Sequence, residues 1–342
     1  MRTRAVGATD LQVSRVGLGT MAWAQAPAST AVALLKRFWE AGGSLVDTAA
    51  AYGGGEVEDL LGRALGSLVP RDELVIATKS GFVQRDGRRV VDTSAKTLLD
   101  DLAGSLRRLG TDHVDLWQVH AWGQAPLEET LEAVDRAVAS GQARYAGVSN
   151  YIGWQLAYAA TWQRARGQTP LASVQVEYSL LARRAEIELL PCCAALGLGF
   201  FPWSSLGRGV LTGQYREGVP AGSRAASDAM AWFVEPYLDE SSRGVVEGVA
   251  RAASGLGLTP AQVALLWVRD APGVTAPLVG PRTVEQLDEL LQAEALDLPR
   301  EIVEALDDVS GGPNALRPPV VVNEPSVRTR PPRPGRQFPQ SS

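Results

Sequence analysis

Two hydrophobic patterns alternate along this chain. Short apolar runs without polar interruption, typical of strands buried on both faces, are followed by longer segments in which apolar residues return every third or fourth position, as on one side of a helix. One helical segment carries Leu98, Leu102, Leu106 and Leu109, and another begins at Thr259-Pro260, a capping residue before a proline. The predicted strands are Val16–Gly19, Ser44–Asp47, Leu74–Thr78, Val114–Val119, Arg144–Val148, Ser173–Glu177, Leu198–Trp203 and Val274–Val279.

Eight β-then-α units of this kind predict an α/β fold, a closed (β/α)₈ TIM barrel over residues 1–310. A short hairpin precedes it, with strands from Arg2 to Val6 and from Leu11 to Ser14. An open doubly wound sheet is the competing fold. It would normally carry a glycine-rich phosphate loop after its first strand, and the run GLGT at 17–20 lacks the third glycine of that loop.

Two segments interrupt the alternation. Residues 207–237, after the seventh strand, contain Gly, Pro and Ser but little periodicity, and a loop of that length in a compact domain is usually functional or disordered. Residues 311–342 are rich in proline and hold five arginines against one acid, which predicts a flexible C-terminal tail. This tail could be a solvated extension, or it could cover the active site or a partner subunit.

The composition narrows the range of partners. Hydrophobic residues make up 45% of the 342 residues, enough for a large core, and the net charge of −5 gives no sign of nucleic-acid or membrane binding. An anionic cofactor would therefore need a local basic site. The N-terminus lacks the apolar core of a signal peptide, and no apolar run is long enough to span a membrane. The two cysteines, Cys192 and Cys193, are adjacent and cannot link distant parts of the chain by a disulfide, so we expect a reducing, cytoplasmic location. The oligomeric state stays open.

Four side chains capable of chemistry follow three successive strands. Asp47 ends the second strand, Tyr52 lies in the loop after it, Lys79 ends the third strand and His120 ends the fourth. In a (β/α)₈ barrel the active site lies at the carboxyl ends of the strands, so these groups should meet at one rim. A tyrosine can protonate a carbonyl oxygen that receives a hydride, a lysine beside it favours the phenolate, a carboxylate keeps the lysine charged, and an imidazole can orient the substrate.

Each of these residues also has a simpler interpretation when it is taken alone. Asp47 with Thr48 could cap the next helix. Tyr52 could be a pocket wall, Lys79 a surface lysine and His120 a buried histidine whose hydrogen bonds are satisfied. Their joint position at neighbouring strand ends favours the catalytic interpretation.

Several stretches resemble the signatures of the aldo-keto reductase family. They are VDTAAAYG at 46–53, ATK at 77–79, VH at 119–120, GVSN at 147–150, VQVEYS at 174–179 and SSLGRG at 204–209. The resemblance runs in order from about residue 2 to about residue 308. It implies the same barrel with the hairpin closing its bottom, with Tyr52 as general acid, Lys79 and Asp47 as its tuning pair and His120 as the substrate-orienting residue.

The resemblance also implies an NADP(H) cofactor bound without a Rossmann domain. Ser149, Asn150 and Gln175 match residues that hydrogen-bond the carboxamide of the nicotinamide, although Ser149 and Asn150 could instead be helix caps. Trp203 stands where relatives carry a stacking tyrosine, and its larger ring can do the same. The cofactor site would further include the end of the first strand and the loop after the seventh, namely Gly19, Thr20, Met21, Ser204, Leu206, Gly207 and Arg208.

The adenosine end of the cofactor should lie after the eighth strand, at Gly280 and Arg282. Thr283 and Gln286 form a capping-box pattern, so a helix should start there, and its amide groups and dipole attract an anion. Arg282 could grip a ribose phosphate, which favours NADP over NAD. Gln286 could serve only as a helix cap. In the family an asparagine often follows shortly after an acidic residue at this point, whereas here Glu289 is followed by Leu290.

The substrate is predicted to be a small-molecule carbonyl compound. Trp23 and Trp122, in loops at the same rim, suggest an aromatic-lined pocket for an apolar or aryl carbonyl, with sugars remaining possible. One rival function is an NADPH-binding, redox-sensing or regulatory subunit with little turnover. A barrel lyase or isomerase is another rival, but only two histidines exist and no carboxylate cluster predicts a metal site.

Overall fold

A computed structural model describes residues 1–228 and 230–311, so the predicted C-terminal tail lies outside the described residues except for Gly311. The strands and helices, in chain order, are β1 (Thr3–Ala5), β2 (Gln12–Ser14), β3 (Gly17–Gly19), α1 (Ala28–Glu40), β4 (Leu45–Asp47), α2 (Glu56–Ala64), β5 (Val75–Ser80), β6 (Phe82–Arg85), β7 (Arg88–Val91), α3 (Ala95–Leu109), β8 (Val114–Val119), α4 (Leu127–Ala139), β9 (Ala143–Ser149), α5 (Gly153–Arg166), β10 (Leu171–Glu177), α6 (Leu189–Leu196), β11 (Gly199–Trp203), α7 (Ala231–Val234), α8 (Glu240–Leu256), α9 (Pro260–Asp270), β12 (Leu278–Val279), α10 (Val284–Gln292) and α11 (Arg300–Val309).

Eight of these strands form one parallel sheet in the order β12, β3, β4, β5, β8, β9, β10, β11. Helices surround the sheet, with α3 packed against β5, α4 against β9, α5 against β10 and α6 against β11. The residues of β8 are buried on both faces, as the continuous apolar runs predict. The predicted (β/α)₈ TIM barrel is confirmed.

The barrel closes between β11 and the segment that leads into β12. The amide of Thr275 donates to the Phe200 carbonyl at 2.9 Å, and the Phe200 amide donates to Thr275 Oγ1 at 3.0 Å. The eighth strand was predicted over 274–279, but regular pairing covers only β12. Pro277 has no N–H to donate, although its carbonyl still accepts from the amide of Gly17 at 2.9 Å.

The N-terminal hairpin of β1 and β2 closes the bottom of the barrel, as predicted. Thr3 pairs with Ser14, and the turn between the strands reaches the start of β11, where the Ala8 amide donates to the Gly197 carbonyl at 2.8 Å. Gly7 has a φ of +56°, and a Cβ there would lie 2.3 Å from the Gly197 oxygen, so this close approach requires glycine.

A second hairpin, β6 and β7, was not predicted. It follows β5 directly, and its two turn residues, Asp86 and Gly87, have φ of 51° and 71°, the backbone that a type I′ turn needs. Gln84 pairs with Arg89 and Phe82 pairs with Val91, so Phe82 and Arg89 lie on the same face of the hairpin. This hairpin adds a wall to the rim of the barrel.

The described residues of the segment 207–237 form short turns and the one-turn helix α7, without a long element, in agreement with the lack of periodicity. Arg208 fastens it to the barrel. The buried guanidinium donates to both carboxylate oxygens of Glu177 at 2.7 Å and to the Phe233 carbonyl at 2.6 Å. Such a bidentate pair fixes orientation as well as distance.

Cys192 and Cys193 are both free thiols in α6. Among the described residues, every helix is too short or too polar to cross a lipid bilayer.

Candidate active site

Asp47, Tyr52 and Lys79 form one hydrogen-bonded cluster at the carboxyl ends of β4 and β5. Lys79 Nζ lies 2.6 Å from Asp47 Oδ1, 2.8 Å from the Thr48 carbonyl oxygen and 3.3 Å from the Tyr52 hydroxyl. The other oxygen of Asp47 accepts from Gln175 Nε2 at 2.8 Å. Because the lysine donates three hydrogen bonds and has no exposed surface, its ammonium group is held in one position.

The loop that carries Tyr52 turns sharply before α2. Three successive glycines follow the tyrosine, and all three have positive φ. At Gly55, where φ is +104°, a Cβ would lie 2.8 Å from the side chain of Arg108. The glycine run therefore lets the chain reverse direction and keep the phenol over Lys79.

His120 follows β8 directly and completes this part of the rim. Its amide donates to the Ser80 carbonyl at 2.8 Å, which continues the ladder between β5 and β8. The imidazole meets the Tyr52 ring edge-on with 6.0 Å between centroids, and it meets the Phe82 ring edge-on at 4.5 Å. Among the described residues, no group accepts from or donates to its buried Nδ1.

The surroundings set the charge of each of these groups. Burial raises the pKa of the Tyr52 phenol, and Lys79 acts in the opposite direction but does not outweigh it. Burial alone would lower the pKa of Lys79, but Asp47 and Tyr52 raise it above its ordinary value. Burial, with help from the positive charge of Lys79, lowers the pKa of His120 well below 6.5. The site therefore holds a neutral phenol, an ammonium group and a neutral imidazole at neutral pH.

Asn150 joins three neighbouring groups on the same rim. It has a φ of 57°, and its Nδ2 donates to the His120 carbonyl at 2.9 Å and to Ser149 Oγ at 3.1 Å. Its Oδ1 accepts from Trp203 Nε1 at 3.1 Å. The Trp203 ring is stacked on Phe233 at 6.4 Å with 17° between planes. Both ends of the Asn150 amide thus already have protein partners.

The first strand and the loop after β11 complete the rim. Buried Thr20 donates to the Asp47 carbonyl at 3.0 Å, whereas Met21 is 40% exposed. Gly19 and Gly280 face each other across the strand ends, since a Cβ on Gly280 would lie 3.8 Å from the Gly19 oxygen. In the loop after β11, residues with positive φ make a tight turn, and half-buried Leu206 packs on the core. The positive-φ residues of this loop are Ser204, Gly207, Arg208 and Gly209.

The start of α10 brings two arginines together. Thr283 Oγ1 accepts from the Gln286 amide at 3.3 Å, which confirms the predicted helix start. Gln286 Oε1 accepts from the amide of Arg282 at 2.9 Å, one residue before the cap, instead of closing the expected capping box. Arg282 Nη1 donates to the Gly222 carbonyl at 3.3 Å. Further along α10, half-buried Glu289 accepts from Gln262 Nε2 at 2.9 Å through its carbonyl.

Arg224 is a residue that the sequence did not single out. Burial lowers the pKa of its guanidinium, and the positive charge of Arg282 lowers it further, so the two cations lie close together. Within the described residues, neither arginine forms an ion pair with a carboxylate. Two cations that have no carboxylate partner among the described residues, beside a helix N-terminus, make a site with the chemistry to bind a phosphate.

The two predicted pocket tryptophans differ in exposure. Trp23 is buried, and its Nε1 has no partner among the described residues. Trp122 is half-buried and meets Tyr151 and Trp154 edge-on at 5.1 and 5.2 Å. Trp154 is itself exposed, so this aromatic group extends from the rim to the outer surface of α5.

Comparisons with known proteins agree with this geometry. The sequence profile of the Aldo/keto reductase family matches residues 15–310. The chain is 36% identical over 324 residues to "Uncharacterized oxidoreductase YrpG" of Bacillus subtilis, which covers 92% of this chain and 97% of that protein. It is 33% identical over 303 residues to "Probable voltage-gated potassium channel subunit beta" of Oryza sativa subsp. japonica, covering 86% and 91%. It is 29% identical over 316 residues to "Norsolorinic acid reductase A" of Aspergillus parasiticus, covering 87% and 78%.

Proposed function

The chain belongs to the aldo/keto reductase family, and on this premise we propose that it reduces an aldehyde or ketone to an alcohol, with NADP(H) as cofactor and Tyr52 as general acid. The single observation that carries this proposal is the buried contact of Lys79 with both Tyr52 and Asp47. Such a cluster serves proton transfer at a site where charge develops.

The roles of the side chains follow from their charges. When bound, the nicotinamide supplies a hydride to the carbonyl carbon. Tyr52 then gives its proton to the carbonyl oxygen, which completes the alcohol. Its high pKa keeps the phenol protonated until the oxygen becomes basic, and the ammonium of Lys79 stabilises the tyrosinate that remains. The neutral imidazole of His120 can donate one hydrogen bond to the same oxygen and hold the substrate in position.

The residues around the rim fit a dinucleotide with an extra phosphate. Ser149, Asn150 and Gln175 would hold the carboxamide, and Trp203 would stack on the nicotinamide. Gly19, Thr20 and Met21 would border it, and the loop 204–209 would approach the pyrophosphate. Arg282 would hold the ribose phosphate with Arg224. The charge of this pair, which no carboxylate of the described residues neutralises, supports NADP over NAD. Gly280, Gln286 and Glu289 would lie beside the adenosine.

Two of these residues have contacts that limit what they can offer. The Arg208 guanidinium is already bound to Glu177 and Phe233, so only its backbone would face the cofactor. The Asn150 amide nitrogen already donates two hydrogen bonds, so it would contribute through its oxygen. Trp23 and Trp122 would line the substrate pocket.

The test is a steady-state assay of NADPH consumption with a panel of small aldehydes and ketones, in which the alcohol product is identified. We expect turnover with one alcohol formed per NADPH consumed, and slower turnover with NADH. Tight NADPH binding without turnover across the panel would overturn the proposal. It would favour a binding or regulatory subunit, and the rice relative is named as a probable potassium channel subunit.

A further inference from the structure

Glu58 is a buried carboxylate outside the groups assigned to catalysis or to the cofactor. It lies in the first turn of α2, six residues after Tyr52, and its side chain has no exposed surface. The Thr78 hydroxyl donates to Glu58 Oε1 at 2.5 Å, and Arg108 donates to Oε2 at 2.9 Å through Nε and at 2.7 Å through Nη2. Both carboxylate oxygens are therefore bound, and Glu58 joins α2 to strand β5 and to helix α3.

This group of contacts reaches β5 on both sides of Lys79. Thr78 directly precedes the lysine, and because consecutive strand residues point to opposite sides, Thr78 contacts α2 while Lys79 contacts the rim. Gly81 lies two residues after the lysine, and its amide donates to Asp101 Oδ2 at 3.0 Å. Burial raises the pKa of Asp101, and the charge of Arg108 opposes this effect, so Asp101 lies close to the same guanidinium.

Arg108 also fixes where α2 begins. Three glycines, at 53–55, separate Tyr52 from this helix. A Cβ on Gly55 would lie 2.8 Å from the Arg108 side chain, and one on Gly62 would lie 2.1 Å from the Arg108 carbonyl oxygen, so α2 lies directly against α3 along its length. The position of the phenol relative to β5 therefore depends on the contacts that hold α2.

We propose that Glu58 is a positioning residue that sets the contact between the Tyr52 hydroxyl and Lys79. This inference rests on the proposed reductase function and adds a residue to it. The carboxylate binds the strand that carries Lys79 and belongs to the helix that follows Tyr52, so it fixes the two groups relative to each other. Their hydrogen bond of 3.3 Å is the longest of the three made by Lys79. A small shift of α2 against β5 would therefore break this bond first.

The experiment removes the contacts of Glu58 one at a time. Thr78→Val deletes the hydroxyl and keeps the branched shape of the side chain, Thr78→Ser keeps the hydroxyl, and Glu58→Ala removes the carboxylate. The values of kcat and KM are measured with NADPH and the aldehyde or ketone of the panel that wild type reduces fastest. Urea unfolding of the same proteins gives their stability.

The matched controls lie at the amino ends of the strands, away from Tyr52. Thr169→Val removes a hydroxyl that donates to Asp135 at 2.8 Å, as Thr78 does to Glu58. Asp115→Ala removes a buried carboxylate that accepts from Arg71 at 2.8 Å. Both changes remove polar contacts of the same kind without altering the join between α2 and β5.

We expect kcat to fall about 10- to 100-fold in Glu58→Ala and Thr78→Val, with KM changed by less than about threefold, because a displacement of about 1 Å from the productive geometry can cost that much in rate. Thr78→Ser should recover most of the loss, and the two controls should keep the wild-type kcat.

The pH profile of the reverse reaction gives a second measurement. With NADP⁺ and the corresponding alcohol, Tyr52 must lose its proton before it can accept one from the substrate. Burial raises the pKa of Tyr52 and the charge of Lys79 lowers it, so a weaker contact between them raises the pKa further. In Thr78→Val the rise of alcohol oxidation should therefore move to higher pH, and in Thr78→Ser it should return toward the wild-type position.

Wild-type kcat and an unchanged pH profile in both Thr78→Val and Glu58→Ala would overturn the inference. Losses of the same size in the controls would also contradict it, because activity would then follow overall stability. If Glu58→Ala does not fold, the comparison of Thr78→Val with Thr78→Ser and Thr169→Val still decides.

The inference can fail separately from the proposed function. Full turnover by wild type and by every variant leaves the reductase function standing and removes the role of Glu58. If wild type reduces no compound of the panel, crystal structures of wild type, Thr78→Val and Thr169→Val decide. A Tyr52 hydroxyl more than about 3.5 Å from Lys79 Nζ in Thr78→Val alone supports the role, and an unchanged distance contradicts it.

Discussion

Lys79 and Asp47 form an ion pair of 2.6 Å inside the barrel rim, and the second carboxylate oxygen of Asp47 accepts a hydrogen bond from Gln175. The aspartate is the main group that opposes the effect of burial on the lysine, which by itself lowers the pKa of the ammonium. The positive charge that Lys79 places next to Tyr52 therefore depends on the carboxylate of Asp47, which lies one residue further from the reacting atoms.

Replacing either member of this pair should change how activity depends on pH. In Asp47→Asn the pKa of Lys79 falls, because burial is no longer opposed by the carboxylate, so carbonyl reduction should decline at a lower pH than in wild type. Lys79→Met should lose most activity at every pH, and Asp47→Asn a smaller part. The measurement is kcat/KM from pH 6 to 9, with Asp100→Asn, from an exposed ion pair of α3, as control. Wild-type profile shapes in both site variants would contradict the tuning role.

Tyr52→Phe should lose about 10² to 10⁴ in the rate of carbonyl reduction, the usual range for a positioned general acid. NADPH binding should stay nearly unchanged, because the phenol donates no hydrogen bond to the proposed phosphate sites. Fluorescence titration of NADPH and steady-state kinetics on the same preparation separate the two effects. A variant that keeps half of the wild-type rate would remove Tyr52 from the mechanism.

His120 should make the fold less stable as the pH falls. Burial lowers its pKa well below 6.5, so between about 6.5 and that lower value the unfolded chain binds a proton that the folded chain does not. This difference should reduce the free energy of unfolding by up to about 1.4 kcal/mol per pH unit in that range. Urea unfolding between pH 5 and 7.5 should show a shallower slope for His120→Asn than for wild type. Equal slopes for the two proteins would refute the assignment.

Arg282→Ala should weaken NADPH binding by about 10- to 100-fold, the effect of losing a charge-assisted contact. NADH binding should hardly change, since NADH lacks the ribose phosphate. Arg224→Ala should act in the same direction, and the loss should shrink at high salt. Fluorescence titration of both cofactors measures this, with Arg300→Ala on the exposed face of α11 as control. Equal losses for NADPH and NADH would show that these arginines hold the pyrophosphate or the loop.

Most of the barrel could be predicted because its signals are local. Continuous apolar runs and helical periodicity depend on neighbouring residues, and they located the eight strands to within a few positions. The hairpin of β6 and β7 was missed because its strands are rich in arginine and partly exposed, so they show no apolar run. Its one local signal is the Asp86-Gly87 turn. Pro277 explains why the last strand is shorter than its apolar run.

The candidate site was harder to predict, because its contacts depend on register and loop path. The order of strand ends predicts that Asp47, Lys79 and His120 share a rim. It does not predict that Gln175, four strands from Asp47 in the sheet, binds the same carboxylate. Arg224 lies in a segment without periodicity, so its approach to Arg282 follows only from the path of the chain in three dimensions.

The seam between β11 and β12 has a consequence for the motions of the barrel. Only one backbone hydrogen bond joins Thr275 to Phe200, and the return bond goes to a side chain, so this seam should open more readily than the longer ladder between β8 and β9. Trp203 ends one side of the seam, and Arg282 follows the other. A dinucleotide held by both would connect the two sides of this seam, so amide hydrogen exchange at Phe200 and Thr275 should slow markedly when NADP⁺ is added.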